Sequence, residues 1–394
     1  MELYELIAPC HFGLEAVMKR EILDLGYEIE RVEGEIEDGG LVTVVDFRGR
    51  YMGTGFYNSK SLITVRLLTH RQEEITDELI ASRVKAACDY RRFVMNRPGT
   101  DSCRLIYGEA DRLPGVIADR FGGVIVLQVL ALGMERFTQT IADALLACEK
   151  PDCLLLQNDD AIRRKEGMEC FTRVLYGTLP EENIIHENGV KLAVDVLGGQ
   201  KTGYFLDQKD NHLFVRQFCK DARVLDCFSY IGAFALNAAA AGAKEVTAVD
   251  ISEAAVQLIE KNAALNGADI TAVCANCFDF LRAQVKAGEK YDVVVLDPPA
   301  FTKAHANMAS ACRGYKEIAL SAMRLLPAGG VLATHSCSYH MPEEVFVNTV
   351  LSAAQDLHRQ VRVITLRRQD IDHPVLAGYP ESHYLKSLWL QMLD

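Results

Sequence analysis

The chain has 394 residues, a formal net charge of −12 at pH 7, and 49% hydrophobic and 24% charged residues. This length predicts two or three domains, and the composition excludes a disordered chain. No apolar run is long enough to cross a bilayer and the start lacks a signal-peptide pattern, so we expect a cytoplasmic protein without a membrane segment. The acidic charge excludes a surface coated with basic residues, but it leaves a local basic groove for nucleic acid open.

The amino-terminal half predicts a mixture of strands and helices. Residues 41–69, LVTVVDFRGRYMGTGFYNSKSLITVRLLT, alternate at period two around glycine-rich turns, which indicates a small β-barrel or ribbon. Residues 75–94, ITDELIASRVKAACDYRRFV, have a helical pattern. Residues 103–130, CRLIYGEADRLPGVIADRFGGVIVLQVL, predict hairpin strands around proline and glycine. These segments together favour a small β-rich domain followed by an α+β domain.

The carboxyl-terminal half alternates short apolar strands with helices. Predicted strands are ARVLDCF (222–228), EVTAVD (245–250), ITAVCA (270–275), YDVVVLD (291–297) and GGVLATHSC (329–337). Helices are predicted at GAFALNAAAAG (232–242) and at EAAVQLIEKNAALNG (253–267), which ends at a capping glycine. Unbroken apolar strands alternating with helices indicate a parallel sheet covered on both faces. The last segments, VRVITL and HYLKSLWLQML, are expected to add edge strands.

Polar residues and turns follow all five of these strands at their carboxyl ends, where open parallel sheets bind ligands. They are the turn 226-DCFSYIGAF-234, Asp250, Asn276, 297-DPPAF-301 and Cys337. A glycine turn before a helix lets a ligand approach backbone N–H groups, and an acid after the second strand can accept ribose hydroxyls. Each feature alone also fits a turn, a helix cap or a chain reversal. The absence of a GxGxxG loop disfavours a dinucleotide, and five such features in strand order at one edge are much harder to explain as turns alone.

The cysteines offer a second kind of chemistry. Twelve cysteines are scattered without a regular framework, which in a cytoplasmic chain favours buried small hydrophobes over disulfides. The pair in 274-CANC-277 is a weak zinc signal because no second pair accompanies it, so we expect no metal. Cys337, at the end of the fifth strand, can either fill the core or act as a nucleophile.

These motifs resemble the ribosomal RNA large-subunit methyltransferase I family, whose members use S-adenosyl-L-methionine (SAM) to make 5-methylcytosine in 23S ribosomal RNA. The matching motifs are 199-GQKTGYFLDQKDNH-212, 226-DCFSYIGAF-234, 297-DPPAF-301, 314-GYKEI-318, 336-SCS-338 and 373-HPVLAGYPE-381. The resemblance implies an α/β fold with three domains. Residues 1–72 would form an RNA-binding PUA-like domain, 73–190 a central α+β domain, and 191–394 a Rossmann-like class I methyltransferase domain with a mostly parallel seven-stranded sheet.

Two departures from the family pattern stand out. The first thirty residues or so resemble the start of THUMP-containing RNA methyltransferases instead of a PUA domain. Asn276 occupies a position where the family usually has an acid, although its carbonyl oxygen can still accept from an adenine amino group. The RNA-docking end is therefore the part of the chain in which the resemblance predicts least.

The resemblance also implies the roles of individual residues. Asp250 would bind the ribose, Asn276 the adenine amino group, and the turn at Tyr230 would lie beside methionine. Cys337 would attack C6 of cytosine, with Asp297 hydrogen-bonding the edge of the base, and His335 and His340 could influence the thiol. The full cofactor set expected is Gln208, Asp226, Phe228, Tyr230, Gly232, Asp250, Ile251, Asn276, Cys277 and Asp297.

Other interpretations stay open at this stage. A guanine-N7 methyltransferase also has DPP followed by a small residue and then Phe, and it needs no thiol. A non-catalytic RNA-binding or ribosome-assembly factor could keep the same shell. The expected partner is 23S ribosomal RNA, with a homodimer suggested by the resemblance. Aromatic stacking candidates are Phe301 and Tyr339, and phosphate-contact candidates, none chosen as a site, are Lys60, Arg66, Lys303 and Arg313.

Overall fold

The computed structural model describes residues 4–8, 31–46, 48–61, 63–95, 97–301, 308–377 and 379–394. The strands of the amino-terminal half are β1 Tyr4–Ala8, β2 Arg31–Glu33, β3 Leu41–Asp46, β4 Tyr51–Tyr57, β5 Val65–Thr69, β6 Ser102–Tyr107, β7 Val116–Phe121, β8 Val124–Val129, β9 Cys153–Asn158, β10 Phe171–Gly177, β11 Ile184–Glu187 and β12 Val190–Ala193. Those of the carboxyl-terminal half are β13 Arg223–Cys227, β14 Glu245–Asp250, β15 Thr271–Cys274, β16 Val293–Leu296, β17 Val331–Ser336, β18 Val361–Arg367 and β19 Lys386–Met392. The α-helices are α1 Asp77–Val94, α2 Leu132–Glu135, α3 Thr138–Glu149, α4 Ile162–Lys165, α5 Lys209–Val215, α6 Ala233–Ala240, α7 Glu253–Asn266, α8 Cys277–Ala287, α9 Met308–Leu325 and α10 Glu343–Asp356.

The first sheet has five strands in the order β2-β1-β3-β4-β5, so the predicted β-ribbon of residues 41–69 forms three of them. Strand β3 runs parallel to β1 and antiparallel to β4. Glu166, in the turn after α4, connects this sheet to the next one. Its side chain accepts from Asn58 at 3.0 Å and pairs with Arg66 at 3.0 Å. Arg66 also pairs with Glu109 at 3.2 Å. Both of its terminal nitrogens therefore contact acidic side chains of the protein, which does not favour a role in binding phosphate.

The second sheet has five strands in the order β10-β9-β8-β7-β6 and packs against α1 and α3. The predicted hairpins are confirmed, because β6, β7 and β8 pair antiparallel in sequence. Helix α1 starts at Asp77, where the Thr76 side chain accepts from the Leu79 N–H, and it buries Ile80 and Val84 in the core. The predicted helix of residues 75–94 is therefore confirmed, with its first two residues outside the helix.

The third large sheet has seven strands in the order β15-β14-β13-β16-β17-β19-β18. Five strands are parallel, and β19 pairs antiparallel with both β17 and β18. The predicted Rossmann-like sheet is confirmed, but placing the last segment at an edge was wrong. Strand β19 lies inside the sheet because its apolar run, with Leu388, Trp389 and Leu390 all fully buried, needs cover on both faces.

A buried polar network joins the second sheet to the seven-stranded one. The Arg104 guanidinium forms two hydrogen bonds of 2.7 Å with Asp119, and the Thr202 hydroxyl donates to the same carboxylate at 2.5 Å. Lys209, at the start of α5, is fully buried and pairs with Asp372. Because a buried charge without a partner is costly, these contacts fix the segment 199–212 against both sheets. Within the described residues, no helix is both long and apolar enough to cross a membrane.

Candidate active site

A cavity of about 520 Å³ opens at the carboxyl ends of the parallel strands. Nine of the eleven predicted site residues line it, and Asp226 and Gly232 do not. The nine are Gln208, Phe228, Tyr230, Asp250, Ile251, Asn276, Cys277, Asp297 and Cys337. The fold thus brings to one cavity residues that are separated by up to 129 positions in the chain, from Gln208 to Cys337.

The turn between β13 and α6 has an unusual backbone. Phe228 and Tyr230 have φ values of 62° and 50°, and Gly232 has 88°. Only glycine adopts this region readily, so the backbone is strained at the two non-glycine residues. Neighbouring contacts must stabilise this conformation. Asp226 helps to stabilise the turn, because its Oδ2 accepts from the Ser229 hydroxyl at 2.5 Å and from the Ala235 N–H at 3.1 Å. Asp226 therefore shapes the turn without lining the cavity.

Burial of Asp226 has an electrostatic consequence. Its side chain is fully buried, and this burial raises the pKa of Asp226 to about 7 although Ser229 and Ala235 donate to it. Its Oδ1 has no hydrogen-bond partner among the described residues. In such surroundings the protonated form of the carboxyl group is favoured over the charged form.

Asp250 lies at the end of β14 and holds the turn from the side. Its Oδ2 accepts from the Tyr230 N–H at 2.9 Å, and its Oδ1 accepts from the Ser252 N–H at 2.9 Å. Each carboxylate oxygen keeps a further lone pair. The next residue, Ile251, is 69% exposed and also lines the cavity, which places an apolar surface beside the acid.

Asn276 has the structural role that the sequence left open as an alternative, that of a helix cap. Its Oδ1 accepts from the Phe278 N–H at 2.9 Å and from the Asp279 N–H at 3.4 Å, so Asn276 is the N-cap of α8. The carbonyl oxygen that we expected to bind adenine is engaged by the helix. Cys277, beneath it, accepts from the Phe228 N–H at 3.2 Å, which ties α8 to the strained turn.

Cys337 and Asp297 line the same cavity. Gln208 donates to Asp297 Oδ2 at 3.0 Å and is itself fixed by Asn211. Burial, and then the charge of Asp207, raise the pKa of Asp297 to about 7. Burial and the neighbouring Asp297 raise the pKa of Cys337 to about 11, while Lys201 acts in the opposite direction. Cys337 is half-buried and lines the cavity, unlike the fully buried Cys227 at the end of β13.

Comparison with known proteins identifies the family of this chain. Residues 125–369 match an S-adenosylmethionine-dependent methyltransferase model, residues 25–70 a PUA-like domain, and residues 5–43 an RlmL ferredoxin-like domain. Ribosomal RNA large subunit methyltransferase I of Klebsiella pneumoniae (strain 342) is 43% identical over 91% of this chain and 91% of its own. The protein of that name from Salmonella enteritidis is 41% identical over 91% of this chain and 90% of its own. The chain belongs to the ribosomal RNA large subunit methyltransferase I family.

Two solved structures share the fold of this chain. A putative SAM-dependent methyltransferase from Streptococcus mutans has a TM-score of 0.83 at 20% identity, covering 98% of this chain and 100% of its own. A putative methyltransferase solved with SAH also has a TM-score of 0.83 at 20% identity, covering 98% of this chain and 99% of its own. The predicted fold class and the cofactor, SAM, are confirmed. The amino-terminal match to a ferredoxin-like model falls mostly on residues 9–30, outside the described residues.

The residues of the cavity fit SAM. The Asp250 carboxylate would accept the two ribose hydroxyls, and the apolar side chains of Ile251 and Phe278, which also line the cavity, would pack against the adenine. Tyr230, in the strained turn, and Gln208 line the same cavity as Cys337. When bound, SAM supplies an electrophilic methyl group on a sulfonium.

The sequence did not indicate how the site is supported. Lys201 lines the cavity, donates to Asp207 at 3.0 Å and lies 4.3 Å from the centre of the Phe205 ring. His212, also in the wall, contacts the buried Glu187 at 2.6 Å. Both residues belong to the motif 199–212, which carries the resemblance to the family. The motif did not indicate that Lys201 pairs with Asp207 or that His212 contacts Glu187.

His335, which the sequence offered as a possible influence on the thiol, lies away from the cavity. Its ring lies in the core, 5.1 Å from Phe234 and 5.9 Å from Trp389, and does not line the cavity. Lys303 lies outside the described residues. Among the residues that the structure describes, no group of three or more His, Cys, Asp and Glu side chains could hold a metal ion.

Proposed function

We propose that this chain methylates C5 of a cytosine in 23S ribosomal RNA through a covalent bond between Cys337 and C6 of the base. The observation that carries the proposal is that Cys337 and Asp297 line the same cavity as Asp250 and Tyr230, the residues expected to hold the cofactor. A thiol that only filled the core would not open onto that cavity. The relatives that share this chain's length are named for large-subunit ribosomal RNA, which supports the substrate.

The chemistry follows from the weak nucleophilicity of cytosine C5. Addition of the Cys337 sulfur at C6 breaks the C5–C6 double bond and makes C5 enolate-like, which allows it to take a methyl group. The C5 proton then leaves to a base, the C5–C6 double bond re-forms, and the S–C6 bond breaks to release the thiol. Asp297 would hold the N3 and N4 edge of the ring, where protonation makes C6 more electrophilic. Gln208 would position this carboxylate through its 3.0 Å hydrogen bond.

The base must leave its stack, or be unpaired already, to reach this cavity. In the same proposal, residues 1–72 dock the RNA, residues 73–190 form a central domain and residues 191–394 catalyse the reaction in the cytoplasm. Phe301, 4.7 Å from Tyr315 and 5.9 Å from Phe278, contributes to the cavity wall and can contact the flipped base. The homodimer suggested by the resemblance stays a prediction.

Replacement of the nucleophile tests the proposal. Cys337→Ala should abolish formation of 5-methylcytosine in a 23S ribosomal RNA transcript, measured by mass spectrometry of nucleosides. The wild-type protein should also form a covalent complex with RNA that contains 5-fluorocytidine, because the fluorine cannot leave as a proton does. Cys170→Ala is the matched control, since Cys170 is another half-buried cysteine but lies outside the cavity.

The alternative reactions give different results. If Cys337→Ala still methylated RNA at full rate, the acceptor would be an atom that needs no covalent step, such as guanine N7. Absence of SAM binding in calorimetry would instead favour a non-catalytic RNA-binding protein.

A further inference from the structure

A second large cavity, of about 620 Å³, lies between strand β5, helix α1 and the loop around Leu376. We infer that this junction cavity binds a single-stranded segment of the RNA substrate beside the target nucleotide. This inference rests on the proposed function, which requires RNA to dock but names no contact for it on the protein. The motif 373–381 forms part of the wall, and none of its described residues lines the cavity that contains Cys337.

The junction cavity carries positive charge that the protein does not neutralise. Its charged side chains are those of Arg71, Arg83, Arg112, Glu73 and Glu109. Glu109 pairs with Arg66 at 3.2 Å, and Glu73 lies 3.6 Å from Arg83. Arg71 and Arg112 are exposed, and within the described residues their guanidinium groups form no ion pair or hydrogen bond. Two cations are therefore available to a ligand, on a chain whose net charge is −12.

A buried arginine fixes the walls of the junction cavity relative to each other. Arg83, in α1, is 5% exposed, and its Nη1 donates 2.8 Å hydrogen bonds to the main-chain oxygens of Leu68 and Arg112. Arg112 has a φ of 59°, which non-glycine residues seldom adopt, so the contact with Arg83 stabilises an uncommon backbone conformation. Burial, and then the charge of Arg112, lower the pKa of Arg83, as expected where two positive charges lie close together.

The rest of the wall suits unpaired bases. Its apolar and aromatic side chains are Leu79, Pro114, Leu376, Ala377 and Tyr379. An arginine guanidinium can bind a phosphate group with two hydrogen bonds, and bases taken out of a stack pack on aromatic and apolar side chains. Positive charge beside such side chains is the combination by which proteins bind single-stranded nucleic acid. The junction cavity offers both within one space.

One segment of the chain connects the junction cavity to the nucleophile. Tyr379 lines the junction cavity, and Leu385, six positions later, lines the cavity that contains Cys337. Between them, Glu381 accepts a 2.8 Å hydrogen bond from the hydroxyl of Tyr339, two residues after the nucleophile. Six residues span at most about 20 Å. A stacked strand advances about 3.4 Å per nucleotide, as in duplex DNA, so a segment of about six nucleotides can reach from one cavity to the other.

Removal of the two available cations tests the inference. Binding of a 23S ribosomal RNA transcript to the full-length protein is measured by filter binding between about 50 and 200 mM KCl, for the wild type and for Arg71→Gln/Arg112→Gln. Two phosphate contacts to a single strand contribute about 1.4 to the slope of log affinity against log salt. The wild type should therefore lose about sevenfold more affinity over this range than the double variant. An equal salt dependence in the two proteins would overturn the inference.

A matched control is Lys220→Gln/Lys244→Gln, which removes the same charge from two exposed lysines that precede β13 and β14, at the edge of the sheet opposite to Cys337. Its salt dependence should equal that of the wild type. A slope reduced as much as in the arginine variant would show that net charge, and not the junction cavity, sets the slope. Both double variants should bind SAM as the wild type does, because none of the four residues lines the cavity that contains Cys337.

A second measurement uses the wild-type protein and no variant. Photo-crosslinking to a thiouridine-substituted transcript, read by mass spectrometry of peptides, should label the loop around Leu376 or the segment that carries Arg71. Crosslinks confined to other surfaces would overturn the inference. Both readouts measure binding and not methyl transfer, so failure of the 5-fluorocytidine test would remove the covalent reaction and leave this site. Absence of any RNA binding by the wild type would instead remove the proposed function.

Discussion

His335 gives a prediction whose size can be worked out from its surroundings. Its ring is fully buried on β17, between Phe234 and Trp389, and neither ring nitrogen has a hydrogen-bond partner among the described residues. Burial, and then the charge of His212, lower the pKa of His335 to about 3. The folded protein therefore keeps this imidazole neutral in mildly acidic solution, where the unfolded chain takes up a proton.

The sign and the magnitude follow from proton linkage. Between the folded pKa of about 3 and an unfolded pKa of about 6.5, the unfolded state binds more protons, so the free energy of unfolding falls as the pH falls through this window. Each pH unit inside the window costs about 1.4 kcal/mol, so His335 alone should remove about 2 kcal/mol between pH 8 and pH 5. His335→Phe keeps an aromatic ring in the cluster and removes this term.

A single tryptophan provides an intrinsic fluorescence probe of unfolding. Trp389 is the only tryptophan, and it packs against His335, so its fluorescence follows unfolding of the seven-stranded sheet in urea. The loss of unfolding free energy from pH 8 to pH 5 should be about 2 kcal/mol smaller in His335→Phe than in the wild type. His70→Phe, at an exposed histidine, should behave as the wild type. Equal acid losses in the wild type and His335→Phe would refute the reasoning.

Three further outcomes are expected, two at the cavity and one in the buried polar network around Asp119. Asp250→Ala should weaken SAM binding at least about tenfold in calorimetry, since charged hydrogen bonds contribute about 1.5–3 kcal/mol; unchanged affinity would place the ribose elsewhere. Gln208→Leu removes the donor to Asp297 and should raise its pKa, which shifts the acidic limb of the pH–rate profile to higher pH; an unshifted limb would exclude Asp297 as the titrating group. Thr202→Val should lower the unfolding free energy by about 1–3 kcal/mol in urea denaturation, because one donor to the buried Asp119 is lost; a stability equal to wild type would mean that Arg104 alone satisfies that carboxylate.

Local sequence patterns were sufficient for much of the fold. Apolar runs such as 293-VVVL-296 and the helix ending at Gly267 predicted the alternating strands and helices, because period and capping are properties of adjacent residues. The order of the chain also placed Asp250, Asp297 and Cys337 at one edge, since parallel strands present their carboxyl ends together. The family motifs then gave the cofactor.

Other features depended on which distant segments pair. From the sequence Asn276 fitted both an adenine ligand and a helix cap, and the hydrogen bonds at the start of α8 show that its oxygen caps the helix. His335 and Cys337 are two residues apart, yet one is shut in the core and the other opens into the cavity, because the strand ends between them at Ser336.

The sequence by itself determined the strands, the helices and the residue types at the sheet edge, since these depend on neighbours in the chain. The tertiary structure alone decided that β19 enters between β17 and β18, which pairs Lys386 with Ser336, and that Thr202 reaches Asp119. The physical reason is that burial and charge pairing depend on contacts across tens to hundreds of residues, which no local pattern contains.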